Sequence, residues 1–208
     1  MGQILKFPVR ATKFGYKRVR KGAKCDDPAQ LQLFASAAAQ ILRLAPECGF
    51  FEYGLLLDEH GDSHAADFYR KAIAEQDCVA DAYCNLGIIE SKRGEIAKAF
   101  DCFTNSLKHN PRHFEAHYNL GNLYFDVNDL HLAQVHYELA VEVERSFPNV
   151  YFNLALVLSM NNEFTPAITA LERYQQLVPP SEGRNADELL ENLKKSLAVS
   201  NSSRAGMK

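Results

Sequence analysis

Small and large apolar residues recur along the chain at an interval of 34 residues. Asn-Leu-Gly at 85–87 returns as Asn-Leu-Gly at 119–121 and as Asn-Leu-Ala at 153–155. Small residues allow two helices to pack closely, and large ones fill the seam between them. Because one hairpin cannot bury its apolar face alone, the pattern predicts stacked helical hairpins. Alanine returns at the same interval, and a large apolar residue follows each alanine by four positions: Ala99 and Phe103, Ala133 and Tyr137, Ala167 and Leu171.

Three units of this repeat, at about 80–113, 114–147 and 148–181, resemble the tetratricopeptide repeat (TPR) family. A further unit at about 47–79 is marked by Tyr53-Gly54 and Gly61. The resemblance covers residues 47–181 and implies an all-α, TPR-like superhelical solenoid of about four helical hairpins with capping helices. In the unit at 80–113 the matching residues are Tyr83, Leu86, Gly87, Gly94, Ala99, Phe103 and Pro111.

The flanks of the repeat array differ from it in composition. Residues 1–26 are predicted to form a basic flexible arm. Residues 27–46 are predicted to form an N-terminal capping helix, which begins after the N-cap Asp27 and ends at Pro46. Residues 182–200 carry leucines at helical spacing and are predicted to form a C-terminal capping helix after the break at Pro179-Pro180. Residues 201–208 are a polar tail.

Charge is distributed unevenly along the chain. The whole sequence has 23 basic and 26 acidic residues, but residues 1–24 contain no Asp or Glu. A basic arm therefore precedes an acidic body. Such an arm can attract nucleic acid, anionic lipid or an acidic protein face, can dock in the groove of its own chain, or can remain solvated. The basic residues of the arm are Lys6, Arg10, Lys13, Lys17, Arg18, Arg20, Lys21 and Lys24.

Signs of other protein classes are missing from the sequence. It has no apolar run long enough to span a membrane and no secretory signal pattern, so no membrane span is expected. Five cysteines without a C-x-x-C pair favour thiols in a reducing cytoplasm. No phosphate loop or hydrolase motif occurs, so the sequence predicts no catalytic residue and no cofactor. His113 and His117 could share one helix face, but no third ligand is placed beside them, and no metal site is predicted.

The family resemblance implies that the first helix of each hairpin lines a concave, peptide-binding groove. Asn85, Asn119 and Asn153 repeat there at one position. Because an amide both donates and accepts, this ladder can pair with an extended peptide backbone. The alternative is that these amides only satisfy neighbouring backbone groups. The predicted groove residues are Phe51, Leu55, Asn85, Ile88, Lys92, Tyr118, Asn119, Asn122, Phe125, Phe152, Asn153 and Leu156.

The charges of this groove are mainly acidic, with Lys92 as its cation, so a ligand carboxylate is disfavoured and a basic or apolar peptide is preferred. The sequence therefore predicts a non-catalytic, cytoplasmic adaptor or scaffold that binds a protein or peptide partner. The alternative is a nucleic-acid-associated or regulatory factor that contacts its ligand through residues 1–24. The oligomeric state stays open.

Overall fold

The computed structural model describes residues 13–19 and 49–205. In these residues all regular secondary structure is helical, and the prediction of an all-α fold of helical hairpins is confirmed. Most of the predicted arm and the predicted capping helix at 27–46 lie outside the described residues. The helices are α1 (Phe50–Glu59), α2 (Ala65–Ala74), α3 (Val79–Lys92), α4 (Ile96–His109), α5 (Phe114–Asp126), α6 (Leu130–Val143), α7 (Pro148–Met160), α8 (Phe164–Leu177) and α9 (Pro180–Ala205).

The described residues form two compact units. The first unit contains residues 18–19 and 49–111, with the hairpins α1–α2 and α3–α4. The second unit contains residues 13–17 and 112–205, with the hairpins α5–α6 and α7–α8 followed by α9. Residues 13–19, here named the arm segment, are therefore divided between the two units.

In the first unit, the helices of each hairpin pack through alanines and aromatic rings. Phe51 on α1 and Tyr69 on α2 are fully buried, and their ring centroids lie 5.8 Å apart. Gly94 in the α3–α4 turn has a φ of 80°, which an L side chain rarely adopts, so glycine suits this position. The turn residues therefore help to fix where the second helix of the hairpin begins.

In the second unit, α9 closes the end of the apolar core through Ala186, Leu189 and Leu193, all of which are buried. The sequence placed this helix at 182–200, whereas α9 spans Pro180–Ala205. The difference at its start has a simple cause. Proline needs no hydrogen-bond partner in the first turn of a helix, so the proline pair permits the helix to start there and does not separate it from the array.

Glycine at the crossing of two helices is required by close packing. A Cβ atom added to Gly121 on α5 would lie 2.6 Å from Cδ1 of the Tyr137 ring on α6. That ring is fully buried and cannot move aside without disturbing the core. The first unit repeats the arrangement, since a Cβ atom on Gly87 would lie 2.7 Å from Cε1 of Phe103. The small residues of the repeat are thus explained by the approach of the paired helices.

We expect Gly121→Ala to lower the free energy of unfolding by about 1–2 kcal/mol, because overpacking outweighs the gain in helix propensity. The matched control is Gly183→Ala on α9, where a Cβ atom would make ordinary contacts at 3.8 Å and 3.9 Å with Val178 and Gln175. This control should raise stability by about 0.5–1 kcal/mol. Urea unfolding followed by circular dichroism measures both, and a stabilising Gly121→Ala would contradict the packing argument.

Candidate functional site

Asparagine side chains bind the backbone of the arm segment in both units. In the second unit, the Phe14 N–H donates to Asn153 Oδ1 at 2.7 Å and Asn153 Nδ2 donates to the Phe14 carbonyl at 2.9 Å. Asn119 makes the same two bonds with the N–H and carbonyl of Lys17, both at 2.8 Å. In the first unit, Asn85 pairs with Val19 at 2.8 Å and 3.0 Å. Each amide therefore pairs with both backbone groups of one residue.

The orientation of the Asn153 amide is fixed from beneath by a buried polar network. Its Nδ2 also donates to Asn122 Oδ1 at 2.9 Å and to the Tyr118 hydroxyl at 3.2 Å. The Tyr137 hydroxyl donates to the same Asn122 oxygen at 2.7 Å. Burial raises the pKa of Tyr118 and Tyr137, so both hydroxyls stay protonated and keep their donor role. The Asn153 oxygen is thus left pointing at the arm segment.

Side chains of the arm segment contact the second unit as well. The ring of Phe14 lies edge-on to Phe152, with centroids 5.1 Å apart, and 6.0 Å from Tyr174. The Lys17 ammonium lies 4.3 Å from the ring centroids of both Phe114 and Phe147. The ring of Phe14 therefore lies in an apolar site. The ammonium of Lys17, three positions later, lies between two aromatic rings.

Carboxylates face the basic residues of the arm segment. In the second unit, Lys13 Nζ lies 3.3 Å from Asp126 and Lys17 Nζ lies 3.4 Å from Glu115. The Tyr16 hydroxyl also donates to Asp126, at 3.2 Å. These pairs are partly exposed and each is worth little alone, but together they favour a basic segment on this face.

In the first unit, Arg18 binds Asp58 through two nitrogens. Nη2 donates a hydrogen bond to Oδ1 at 2.7 Å, whereas Nε lies 2.6 Å from Oδ2 as an ion-pair contact without hydrogen-bond geometry. Burial raises the pKa of Asp58, and the guanidinium of Arg18 opposes that rise. The ion pair thus offsets part of the cost of burying the carboxylate.

Comparison with known protein families identifies the repeats. Two models described as tetratricopeptide repeat match residues 80–113 and 102–135. Residues 80–135 of the chain carry tetratricopeptide repeats. The family resemblance expected from the 34-residue spacing is thus confirmed. No significant match was found among curated proteins.

Solved structures share the fold of this TPR chain. The first TPR domain of the human RPAP3 protein is 23% identical, with 60% of this chain and 96% of that one covered and a TM-score of 0.53. The first TPR of Spaghetti (RPAP3), solved bound to the HSP90 peptide SRMEEVD, is 24% identical, with 57% and 93% covered and a TM-score of 0.53. YrrB, described as a TPR protein with an unusual peptide-binding site, is 19% identical, with 79% and 92% covered and a TM-score of 0.58.

The predicted groove residues of this TPR chain fall into four groups. Asn85, Asn119 and Asn153 contact the arm backbone directly, and Tyr118, Phe125 and Phe152 lie beside the arm segment through one hydrogen bond and two ring contacts. Asn122 lies behind Asn153. The structure places the rest without a described arm contact: Phe51, Ile88 and Leu156 buried, Leu55 half-buried and Lys92 exposed.

Three residues that contact the arm segment were missed by the sequence reasoning: Phe114, Phe147 and Tyr174. Phe114 and Phe147 are the first and last residues of the repeat unit at 114–147, outside the positions that the family resemblance assigns to the groove. Tyr174 lies on α8, the second helix of its hairpin. The sequence feature that could have indicated these contacts is that this repeat alone begins and ends with phenylalanine.

The histidines of α5 do not converge on a common ligand. His113 Nδ1 accepts the Ala116 N–H at the start of α5, whereas His117 Nδ1 lies 3.1 Å from Nδ1 of His136 on α6. Within residues 13–19 and 49–205, no group of three or more His, Cys, Asp or Glu side chains is arranged to hold a metal ion. The histidine pair is instead a partly buried contact in which one ring donates a hydrogen bond to the other.

The histidine pair predicts a pH-dependent stability. Burial lowers the pKa of His136 from 6.5 to about 4, and the neighbouring His117 adds to the effect. Between these values the unfolded chain binds the proton and the folded chain does not, so stability falls as pH falls. We expect a slope of at most about 1.4 kcal/mol per pH unit, reduced by partial exposure of the ring. His136→Gln, which keeps a hydrogen-bonding side chain without titrating, should flatten the urea-unfolding profile between pH 6.5 and 4.

Three of the eight basic residues of the arm, Lys13, Lys17 and Arg18, are paired with carboxylates, and the other five lie outside the described residues. Contact of the arm with nucleic acid stays a prediction. In the part of the chain that the structure describes, no helix combines the length and the apolar character needed to cross a membrane. Burial raises the pKa of the Cys102 thiol to about 11, which keeps it protonated and unreactive at neutral pH.

Proposed function

We propose that this TPR chain is a non-catalytic protein-interaction adaptor whose asparagines hold an extended peptide segment. The observation that carries the proposal is the double pairing of Asn119 and Asn153 with one backbone residue each. These bonds use only groups that every residue except proline possesses. The face of α5 and α7 that holds residues 13–17, here named the arm-binding face, is therefore suited to an extended segment of a partner protein.

The charge of the arm-binding face supports a basic ligand. Asp126 and Glu115 lie beside the two lysines of the arm segment, and a peptide rich in carboxylates would be repelled there. The RPAP3 domain of the same fold was solved with SRMEEVD, a peptide that carries three acidic residues. We infer that this chain uses the common fold for a ligand of opposite charge.

The arm segment occupies this face within its own chain, so a partner has to displace it. An intramolecular ligand competes at an effective concentration that depends on the length and stiffness of its connection. The adaptor would then bind partners whose affinity is high enough to displace the arm segment, or partners that first bind the arm segment itself. The cytoplasmic location predicted from the cysteines belongs to the same proposal.

The proposal is tested with the full chain and a labelled synthetic peptide of residues 10–18. Phe14→Ala with Lys17→Ala in the chain weakens the competing arm while leaving α5 and α7 intact. We expect this loosened chain to bind the peptide, and further Asn119→Ala with Asn153→Ala to weaken the affinity by about 100-fold or more, since four hydrogen bonds are lost.

The matched control for this titration is Asn161→Ala. The Asn161 amide donates to Gln134 at 3.0 Å and makes no described contact with the arm segment. Fluorescence anisotropy should show unchanged affinity for this control. Equal affinities for the loosened chain with and without Asn119 and Asn153 would overturn the proposed function.

A further inference from the structure

The environment of Lys17 is more selective than a surface ion pair. Its ammonium lies 4.3 Å from the centroids of the Phe114 and Phe147 rings and 3.4 Å from a Glu115 oxygen. The two rings meet edge to face, with centroids 5.2 Å apart. Two ring faces and one carboxylate therefore surround a single cation.

This arrangement has the chemistry of a cation-binding aromatic cage. The faces of aromatic rings carry negative potential and attract an ammonium, more strongly where water is partly excluded. Lys17 and Glu115 side chains are only 31% and 22% exposed, so the site is shielded on several sides. A neutral side chain of the same length would lose both the ring attraction and the carboxylate.

The cage is held in place by the fold. Phe114 is the first residue of α5 and is buried, and Phe147 immediately precedes Pro148 at the start of α7. Tyr118 supports both rings, stacking on Phe114 at 6.1 Å and meeting Phe147 edge-on at 5.4 Å. Both rings are thus held by packing against a residue of α5 as well as by the arm segment.

The cage stands at a fixed distance along the ligand from the apolar site that holds Phe14. Asn153 pairs with the residue whose ring contacts Phe152, and Asn119 pairs with the residue whose ammonium enters the cage. At each of two ligand positions, three residues apart, one asparagine therefore binds the backbone and one site binds the side chain.

We infer that Phe114, Phe147 and Glu115 form a lysine-reading subsite, and that partners of this chain present an extended segment with an aromatic residue three positions before a lysine. The inference rests on the proposed function, and it specifies which segments the arm-binding face accepts. The arm segment, with Phe14 and Lys17, is the intramolecular copy of that ligand.

The test uses the loosened chain defined above and peptides of residues 10–18 that differ only at Lys17. We expect the acetyl-lysine peptide to bind about 10-fold or more weakly than the lysine peptide, because it has no charge. The trimethyl-lysine peptide keeps the cation and should bind within about 3-fold of the lysine peptide.

Variants of the cage complete a double-mutant cycle. Phe147→Ala in the loosened chain should weaken the lysine peptide by about 10-fold and leave the acetyl-lysine peptide nearly unchanged. Glu115→Gln, a partly exposed and nearly isosteric change, should act in the same direction with little risk to folding. Thermal unfolding of both variants separates lost binding from lost structure.

The outcomes distinguish the inference from the proposed function. Equal affinities for the lysine and acetyl-lysine peptides, with binding still dependent on Asn119 and Asn153, would overturn the lysine subsite and leave the adaptor proposal standing. If the loosened chain binds none of the peptides, both are overturned. If the lysine and acetyl-lysine peptides bind both cage variants with nearly equal affinity, the result supports the subsite.

Discussion

Asn153→Ala is expected to raise the hydrogen-exchange rate of the Phe14 amide by about 100-fold or more. The substitution removes the acceptor of the Phe14 N–H at 2.7 Å and the donor to the Phe14 carbonyl at 2.9 Å. It also leaves Asn122 and Tyr118 without one partner each in a buried site. Because the Phe14 N–H loses its acceptor and the Phe14 carbonyl keeps only the Tyr118 hydroxyl at 3.3 Å, the arm segment should open locally while the helices persist.

Hydrogen exchange followed by NMR of the full chain measures this opening. The Lys17 amide, which is bound to Asn119, should change less than the Phe14 amide, and Asn119→Ala should reverse that order. Asn161→Ala is again the matched control, and it should leave both rates unchanged. An unchanged Phe14 rate in Asn153→Ala would show that other contacts hold the arm segment.

Phe152→Ala is expected to lower the free energy of unfolding of the second unit by about 3–5 kcal/mol. Although Phe152 faces the arm segment, its side chain is only 4% exposed. Its ring lies 5.3 Å from Tyr174 on α8 as well as 5.1 Å from Phe14. Truncation therefore leaves a cavity in the core, not merely an empty place on a binding surface.

Two substitutions separate these roles of Phe152. Phe14→Ala removes the arm side of the contact alone and should cost less than half as much stability as Phe152→Ala. Phe125→Ala removes another predicted groove residue, which is only half-buried, and should cost about 1 kcal/mol or less. Urea unfolding followed by circular dichroism measures all three, and equal losses for Phe152→Ala and Phe125→Ala would contradict the core role.

The sequence predicted the hairpins well because their spacing is a local property. Gly121 and Tyr137 recur at the 34-residue interval since each hairpin repeats the same helix crossing, and the structure shows that crossing directly. The positions of the three asparagines were visible for the same reason. Each repeat needs the same residue types at its helix crossing, so those residues recur at a fixed spacing, whereas chance similarities do not.

The cage around Lys17 was not predictable in this way. Phe114 and Phe147 belong to a single repeat, so no spacing distinguishes them from ordinary core aromatics. Their meeting depends on α5 and the start of α7 lying side by side, which is a tertiary contact between residues 33 positions apart in the sequence. The arm segment posed the same difficulty, because its basic residues suited docking, nucleic acid and solvent equally well until their carboxylate partners were located.

The pairing of each asparagine with a single residue has a consequence for proline. Phe14 and Lys17 each give their own N–H to one amide oxygen, and proline has no such group. A segment bound in this manner on the arm-binding face therefore cannot carry proline at either of two places three residues apart. Proline one place later is compatible, because it favours an extended residue before it. A proline scan of a partner peptide would thus find two positions, three residues apart, at which proline prevents binding. These positions give the alignment of the partner on the arm-binding face without a structure of the complex.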